Sequence, residues 1–236
     1  MAPLFKTPLT LLHKVLRGKN TSWHSEVDHL CAKLHLPSVA NIIDVILFRG
    51  NTFVWEPKIS KFLHEGKGDL FVDVGACYGR ITLLVAGNYK RVLAIEPDPR
   101  NVKTLSANVT YSHAKNITIL PIAISDKDGI GMLYMNDDAG WSGVVTATDG
   151  VTGDIPIKTC TIASLLGNEK VDIIKVDVQG HEWQLLEGAV PVIGNIKSWL
   201  VELHNLKRKN ELESWFTGFG YSACWLENDH IYAYRN

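Results

Sequence analysis

The sequence predicts an α/β fold: a doubly wound, mostly parallel sheet with helices on both faces and an antiparallel hairpin at its end. Three observations predict it. From Asp69 onward, short apolar runs alternate with amphipathic stretches, the pattern of strands buried on both faces and joined by crossover helices. The first of these segments, Asp69-Leu-Phe-Val-Asp-Val-Gly-Ala-Cys-Tyr-Gly79, runs a strand into a glycine-bent turn. The last two runs, Tyr221 to Leu226 and His230 to Tyr234, are separated only by Glu227-Asn-Asp229, which reads as a hairpin.

Residues 1–66 read as a helical extension packed on the core rather than an independent domain. Leu9 to Leu16 is amphipathic, Ser25 with Asp28 resembles a capping box, and Val27, Leu30, Cys31 and Leu34 follow at helical spacing. Val39, Ile42, Ile43 and Ile46 repeat that spacing. Residues 67–236 form the main domain. Leu70 to Val74 is the first strand, and Ile81, Leu84 and Val85 give the next helix its packing face. Arg91 to Ile95 is the second strand, followed at Asp98-Pro99 by a capped helix start with proline in the first turn. Ile117 to Ile124 is the third. Val171 to Val176 is the fourth, followed by a helix with Trp183 and Leu186 that closes at Gly188. Ser198 to Leu203 is the fifth, and Leu212, Trp215 and Phe216 mark a helix stopped at Gly218. Between the third and fourth strands, Gly131 to Met135 and Ile155 to Thr161 form a hairpin insertion around a polar loop, Asn136 to Gly153. A loop of that length without structure of its own is a candidate lid.

Composition narrows the function classes. A net charge of −1 with 21% charged residues lacks the basic footprint of a nucleic-acid binder. The one dense basic run, Lys207-Arg208-Lys209, reads as a solvated stretch beside a helix. Four scattered cysteines lack metal-ligand spacing and suit a reducing compartment. No signal-peptide pattern is found, and no apolar run approaches the ~20 residues needed to cross a bilayer. A cytoplasmic protein is expected.

The first turn carries the chemistry. In open α/β sheets ligands bind beyond the carboxyl ends of the strands. Gly75 and Gly79 fall there in a G-x-x-x-G spacing, with Cys77 where a dinucleotide site has its middle glycine. A side chain at that position crowds a pyrophosphate, whereas S-adenosylmethionine has no phosphate. Glu96 ends the second strand, 21 positions after Gly75, where a carboxylate can accept from both ribose hydroxyls. It would otherwise stabilise a helix N-terminus. Backbone groups near Ala123, or the Ser125 and Asp126 side chains, can read an adenine edge, although Asp126 equally fits a turn. The expected cofactor is S-adenosyl-L-methionine.

These residues resemble the FkbM family of S-adenosylmethionine-dependent methyltransferases. The matching pieces are Phe53-Val-Trp-Glu-Pro57, Val72-Asp-Val-Gly-Ala-Cys-Tyr-Gly79, Ala94-Ile-Glu-Pro97 and Ala123-Ile-Ser-Asp-Lys-Asp-Gly129. They continue with Ile174-Lys-Val-Asp-Val-Gln-Gly180, Glu182 and Val201-Glu-Leu-His204. The resemblance covers residue 50 to the C-terminus. It implies the seven-stranded class I methyltransferase fold, with O-methylation of hydroxyls on sugars or small metabolites. It also implies cofactor contacts from Asp73, Gly75, Ala76, Tyr78, Gly79, Glu96, Pro97, Ala123, Ser125, Asp126 and Asp177. Trp55 and Glu56 are placed near the cofactor mouth on the same ground. Two positions depart from the family: Gln179 stands where an acid is usual, and Ile162-Ala163 where Leu-Asp is.

Candidates for acceptor chemistry cluster after the fourth and fifth strands: Asp177, His181, Glu182, Glu202 and His204. Deprotonating an alcohol needs a base, and the His204 imidazole titrates in the right range. Asp177 can hold the cofactor's ammonium or orient the acceptor; it equally fits the N-cap of the following helix. His181 is a further catalytic candidate, and Glu182 a substrate contact or, at least as readily, an acid stabilising the helix N-terminus. In the loop, Asp138 and Trp141 suit a sugar ring. A metal held by Asp177, His181 and His204 matches no ligand spacing, and methyl transfer does not demand one, so no metal is expected. The expected partner is a small-molecule or carbohydrate acceptor. Rival readings are methylation of RNA or protein nitrogen, a non-catalytic nucleotide-binding module and, least favoured, a nicotinamide oxidoreductase.

Overall fold

The structure, a computed structural model, describes residues 56–134, 143–145 and 155–235. The helices expected at Leu9 to Leu16, after Ser25 and at Val39 to Ile46 lie outside the described residues. So do Trp55, Asp138 and Trp141.

Helix α1 (Pro57–Glu65) leads into strand β1 (Gly68–Val74), helix α2 (Arg80–Val85) and strand β2 (Tyr89–Ile95). Helix α3 (Pro99–Ser112) follows, started by the Asp98 side chain accepting from the Arg100 amide, and then strand β3 (Ile117–Leu120). After an insertion come helix α4 (Ile162–Leu166), strand β8 (Ile173–Val176) and helix α5 (Glu182–Ala189). Strand β9 (Ser198–Glu202), helix α6 (Lys209–Gly218) and the hairpin β10 (Ser222–Trp225) with β11 (His230–Tyr234) complete the chain.

The main sheet has seven strands in the order β10-β11-β9-β8-β1-β2-β3. β1 pairs in parallel with β2 on one side and β8 on the other, so the chain reverses its direction of winding at β1. That switch point opens a crevice above the carboxyl ends of β1 and β8. β11 alone runs antiparallel to β9, with His230 opposite Glu202. Alternate residues of β1 face opposite layers. Leu70, Val72 and Val74 pack with Ile162, Leu185, Leu212 and Phe216, and Phe71 packs with Ile59, Leu63, Ile81 and Val85. Helices therefore cover both faces, as full burial of the strands requires.

Three expectations are corrected. The third strand does not run through to Ile124. It ends at Leu120 because Pro121 has no N–H to continue the ladder, and the Ile122 amide turns back to the Leu120 carbonyl. Ala123–Ile124 becomes β4 and pairs in parallel with β7 (Ile155–Cys160) in a second sheet. That sheet, ordered β4-β7-β5-β6, includes the expected hairpin arm β5 (Gly129–Tyr134). It also includes β6 (Gly143–Val145), which falls within the loop read as lacking structure. Finally, α5 does not close at Gly188. A Cβ there would stand 2.2 Å from the Ser125 carbonyl oxygen, so the glycine permits close helix packing rather than ending the helix.

Candidate active site

The turn after β1 is tightly committed to the fold. The Gly75 and Ala76 amides both donate to the Ile95 carbonyl at 3.0 Å, and the Gly79 amide donates to Ala76. Gly75 sits at φ 79°, and a Cβ on it would lie 1.7 Å from the Asp177 carbonyl oxygen. The neighbouring β8 turn therefore demands a glycine at this position. Cys77, at φ 50°, points its amide at Glu96 Oε2, 2.8 Å away. Burial, and secondarily Glu96, pushes the Cys77 thiol up to about 12, so it is no nucleophile.

A cleft opens above this turn, lined among others by Gly75, Cys77, Glu96, Ala123, Asp177 and His181. Glu96 is 5% exposed. Its Oε1 accepts from the Asp98 amide at 2.8 Å and from Asn101 Nδ2 at 3.3 Å. With the Cys77 amide on Oε2, three of about four acceptor positions are filled, and one remains on Oε2. Burial raises its carboxyl to about 7, against the pull of those three donors. Among the described lining residues Glu96 and Asp177 are the acids, and none is a lysine or arginine.

Asp73, Ala76, Tyr78, Gly79, Ser125 and Asp126 are not among the cleft-lining residues, whereas Pro97 is. Asp73 is buried in β1 and accepts from Thr82 Oγ1 at 2.6 Å. Ala76 packs with Ala94 and Leu105. Asp126 is exposed and accepts from Ser125 Oγ. His181 is buried at the cleft wall, its Nε2 3.0 Å from Ser125 Oγ. It is also the N-cap residue of α5, so Asp177 does not cap that helix. His181 and His204 therefore do not share a metal-sized cluster; Asp177, Glu202 and His204 do.

Beside the cleft, charged groups from β1, β8, β9 and β11 form a continuous array. Lys175, 7% exposed, extends its ammonium toward Asp177 Oδ2 at 3.2 Å and Asp73 Oδ1 at 3.7 Å. Burial opposes its charge, but Asp177, Asp73 and Glu202 outweigh burial and raise its pKa. Asp177 is in turn held low: burial works against it, and Lys175 and His204 prevail. His204 Nδ1 lies 2.7 Å from Glu182 Oε1, a carboxylate 1% exposed that also accepts from the Gly180 amide. With the proton on Nδ1 given to Glu182, Nε2 is left facing Asp177 Oδ1 at 3.8 Å and Glu202 Oε1 at 3.9 Å. Burial disfavours the imidazolium, yet Glu182, Asp177 and Glu202 raise the His204 pKa. Glu202 is pushed up to about 7 by burial and then by Asp177.

The site residues that sequence reasoning missed are Lys175, Asn101, Arg80 and His230. Lys175 sits inside a strand, where an apolar residue is the default. His230 begins the hairpin's second strand, remote in sequence from the motifs, and register alone sets it opposite Glu202. Glu56, expected near the cofactor mouth, pairs with Arg80 at 2.5 Å beside His230.

Comparison with known proteins adds a family. The profile described as the methyltransferase FkbM domain matches residues 73–223. The chain is 25% identical over 189 residues to the hexuronic acid methyltransferase AglP of Haloferax volcanii, covering 76% of this chain and 73% of that protein. It resembles in fold the solved FkbM methyltransferase of Methylobacillus flagellatus, with a TM-score of 0.53 and 18% identity over 71% of this chain. The match spans 44% of that protein's length.

Proposed function

We propose, because this chain belongs to the FkbM methyltransferase family, that it uses S-adenosyl-L-methionine to methylate a sugar oxygen. The observation that carries the cofactor assignment is the sign of the cleft. Glu96 and Asp177 face it, and none of the described residues that line it is a lysine or arginine. The Gly75, Ala76, Cys77 and Gly79 amides are all spent within the protein, so this turn offers a pyrophosphate none of those amides. A ligand bearing a sulfonium and an ammonium suits this donor set, and the residues present fit it. When bound, S-adenosyl-L-methionine supplies a methyl group on a good leaving sulfur.

The protein's own part is binding, orientation and proton removal. The open position on Glu96 Oε2 takes one ribose hydroxyl, rather than the two expected from the sequence. Asp177, kept charged by Lys175, receives the ammonium. His204, fixed by Glu182, presents Nε2 as the base for the acceptor hydroxyl. Orientation contributes about 7–11 kcal/mol in favourable cases, and general-base help about 10²–10⁴-fold. The acceptor class follows from the likeness to the Haloferax volcanii hexuronic acid methyltransferase and from an acceptor side crowded with polar groups.

The test is methyl transfer from labelled cofactor to a panel of uronic acids, neutral sugars, peptides and RNA. Transfer to a sugar is expected, with His204→Ala lowering kcat by about 10²-fold or more. Glu182→Gln, which keeps the shape but not the charge, should lower kcat by less and leave cofactor affinity unchanged. Transfer to RNA or peptide alone, or full activity of His204→Ala, contradicts the proposal.

A further inference from the structure

Next to the His204 array lies a second cluster that the proposed mechanism does not use. Glu56 Oε1, Glu202 Oε2 and His230 Nε2 all lie within 4.8 Å of one another. His230 is 3% exposed. Its Nδ1 is 2.8 Å from Asp229 Oδ1, so the ring proton belongs on Nδ1. Nε2 then presents a lone pair toward two carboxylates, Glu202 Oε2 at 3.6 Å and Glu56 Oε1 at 3.8 Å. Those separations are too long for hydrogen bonds, and among the described residues Nε2 has no other partner. Neither facing carboxylate oxygen accepts a hydrogen bond from a described residue. The other oxygen of Glu56 is taken by Arg80 at 2.5 Å.

Three electron-pair donors therefore converge on one point, with no hydrogen bond among them. A proton on Nε2 would draw a carboxylate in to about 2.7–2.9 Å. Donors arranged around one cation at bond lengths of about 2.0–2.2 Å stand farther apart, on the order of 3.0–3.5 Å. The observed spacing is closer to the second case. The Asp229–His230 pair also matches the way a carboxylate fixes the tautomer of a metal-ligating histidine and raises its basicity.

The neighbouring trio of Asp177, Glu202 and His204 is a poorer candidate. Asp177 Oδ1 already accepts from Gln179 Nε2 at 3.0 Å, and the Lys175 ammonium is 3.2 Å from Oδ2. A cation there would face an ammonium.

We propose that Glu56, Glu202 and His230 hold a divalent cation of the Mn²⁺ or Mg²⁺ kind, which grips two adjacent oxygens of the methyl acceptor. Two carboxylates and one imidazole suit such an ion, and three protein ligands leave coordination positions open. Glu202 is shared, with Oε2 toward the cation and Oε1 toward His204. An acceptor hydroxyl bound to the cation is thus delivered beside the base. A diol or a hydroxy acid has the required pair of oxygens. The acceptor role rests on the methyltransferase mechanism above; the cation site does not.

The test uses the full chain, stripped with EDTA and titrated with Mn²⁺, with free ion followed by electron paramagnetic resonance. Saturable capture of Mn²⁺ is expected, weakened about tenfold or more by Glu202→Gln and by His230→Ala. Glu227→Gln should bind as wild type, since Glu227 belongs to the alternative grouping with Asp229. Circular dichroism on each variant confirms folding, and Glu202→Gln keeps the wild-type shape should His230→Ala fail to fold. No capture by folded wild type at millimolar Mn²⁺, or equal capture by folded variants, overturns the site. Methyl transfer that proceeds at full rate after stripping overturns the acceptor role. Capture of Mn²⁺ without binding of S-adenosyl-L-methionine leaves the cation site standing and removes the proposed cofactor.

Discussion

At Glu96, burial holds the carboxyl up to about 7 while the Asp98, Cys77 and Asn101 donors pull against it. Its charge therefore changes within an enzyme's ordinary working range. A ribose hydroxyl donates to the ionised form, so cofactor binding selects that form. Affinity should be full above about 7 and fall as pH drops through it, by up to about tenfold per unit. Glu96→Gln should bind more weakly and lose that dependence. Calorimetry across the pH range checks both points; an unchanged slope in the variant would move the ribose contact elsewhere. Glu96 was legible in the sequence because its spacing from Gly75 follows from strand and helix lengths. Its three internal donors were not. They arise from the turn of Cys77 and from Asp98 and Asn101, contacts that no motif encodes. Gly75 shows the converse case: the glycine was found, but its cause, the Asp177 carbonyl pressed against it, lies across a strand pair.

Elements with a strong period were legible, and those ended by a local exception were less so. Strands β1 and β2 are continuous apolar runs, and α3 announces itself through Asp98 and Pro99. The third strand was overextended because Ile119, Leu120, Ile122 and Ile124 look continuous, while Pro121 breaks the hydrogen-bond ladder. Helix α5 was closed at Gly188 on the usual association of glycine with helix ends. In the fold that glycine admits the Ser125 carbonyl instead. Gly188→Ala should accordingly destabilise the protein by about 1–3 kcal/mol through overpacking, despite alanine's better helix propensity. Urea unfolding measures the difference. A gain in stability would show that α5 can draw back from β4 without cost. Strand β6 escaped notice because its three residues are too few to display a period.

Across the whole molecule, the sheet order separates two tasks. Strands β1 and β2, on one side of the switch, carry the turn and Glu96 that face the cofactor cleft. Strands β8, β9 and β11, on the other, carry Asp177, Glu202, His204 and His230. Asp177 stands at the boundary and touches both. The order of strands could be expected from alternation and the family resemblance. The pairing of His230 with Glu202 could not, because it depends on the register of the final hairpin. No helix among the described residues is long and apolar enough to cross a membrane. The central claim concerns the sign of the cleft: an acidic crevice with its turn amides already committed should accept a cationic, phosphate-free adenosine ligand. Calorimetric titration of the purified chain with S-adenosyl-L-methionine and, separately, NAD⁺ tests it most directly. Binding of the first alone, weakened by Glu96→Ala, is the predicted result. Binding of NAD⁺, or no binding of S-adenosyl-L-methionine by folded protein, would contradict it.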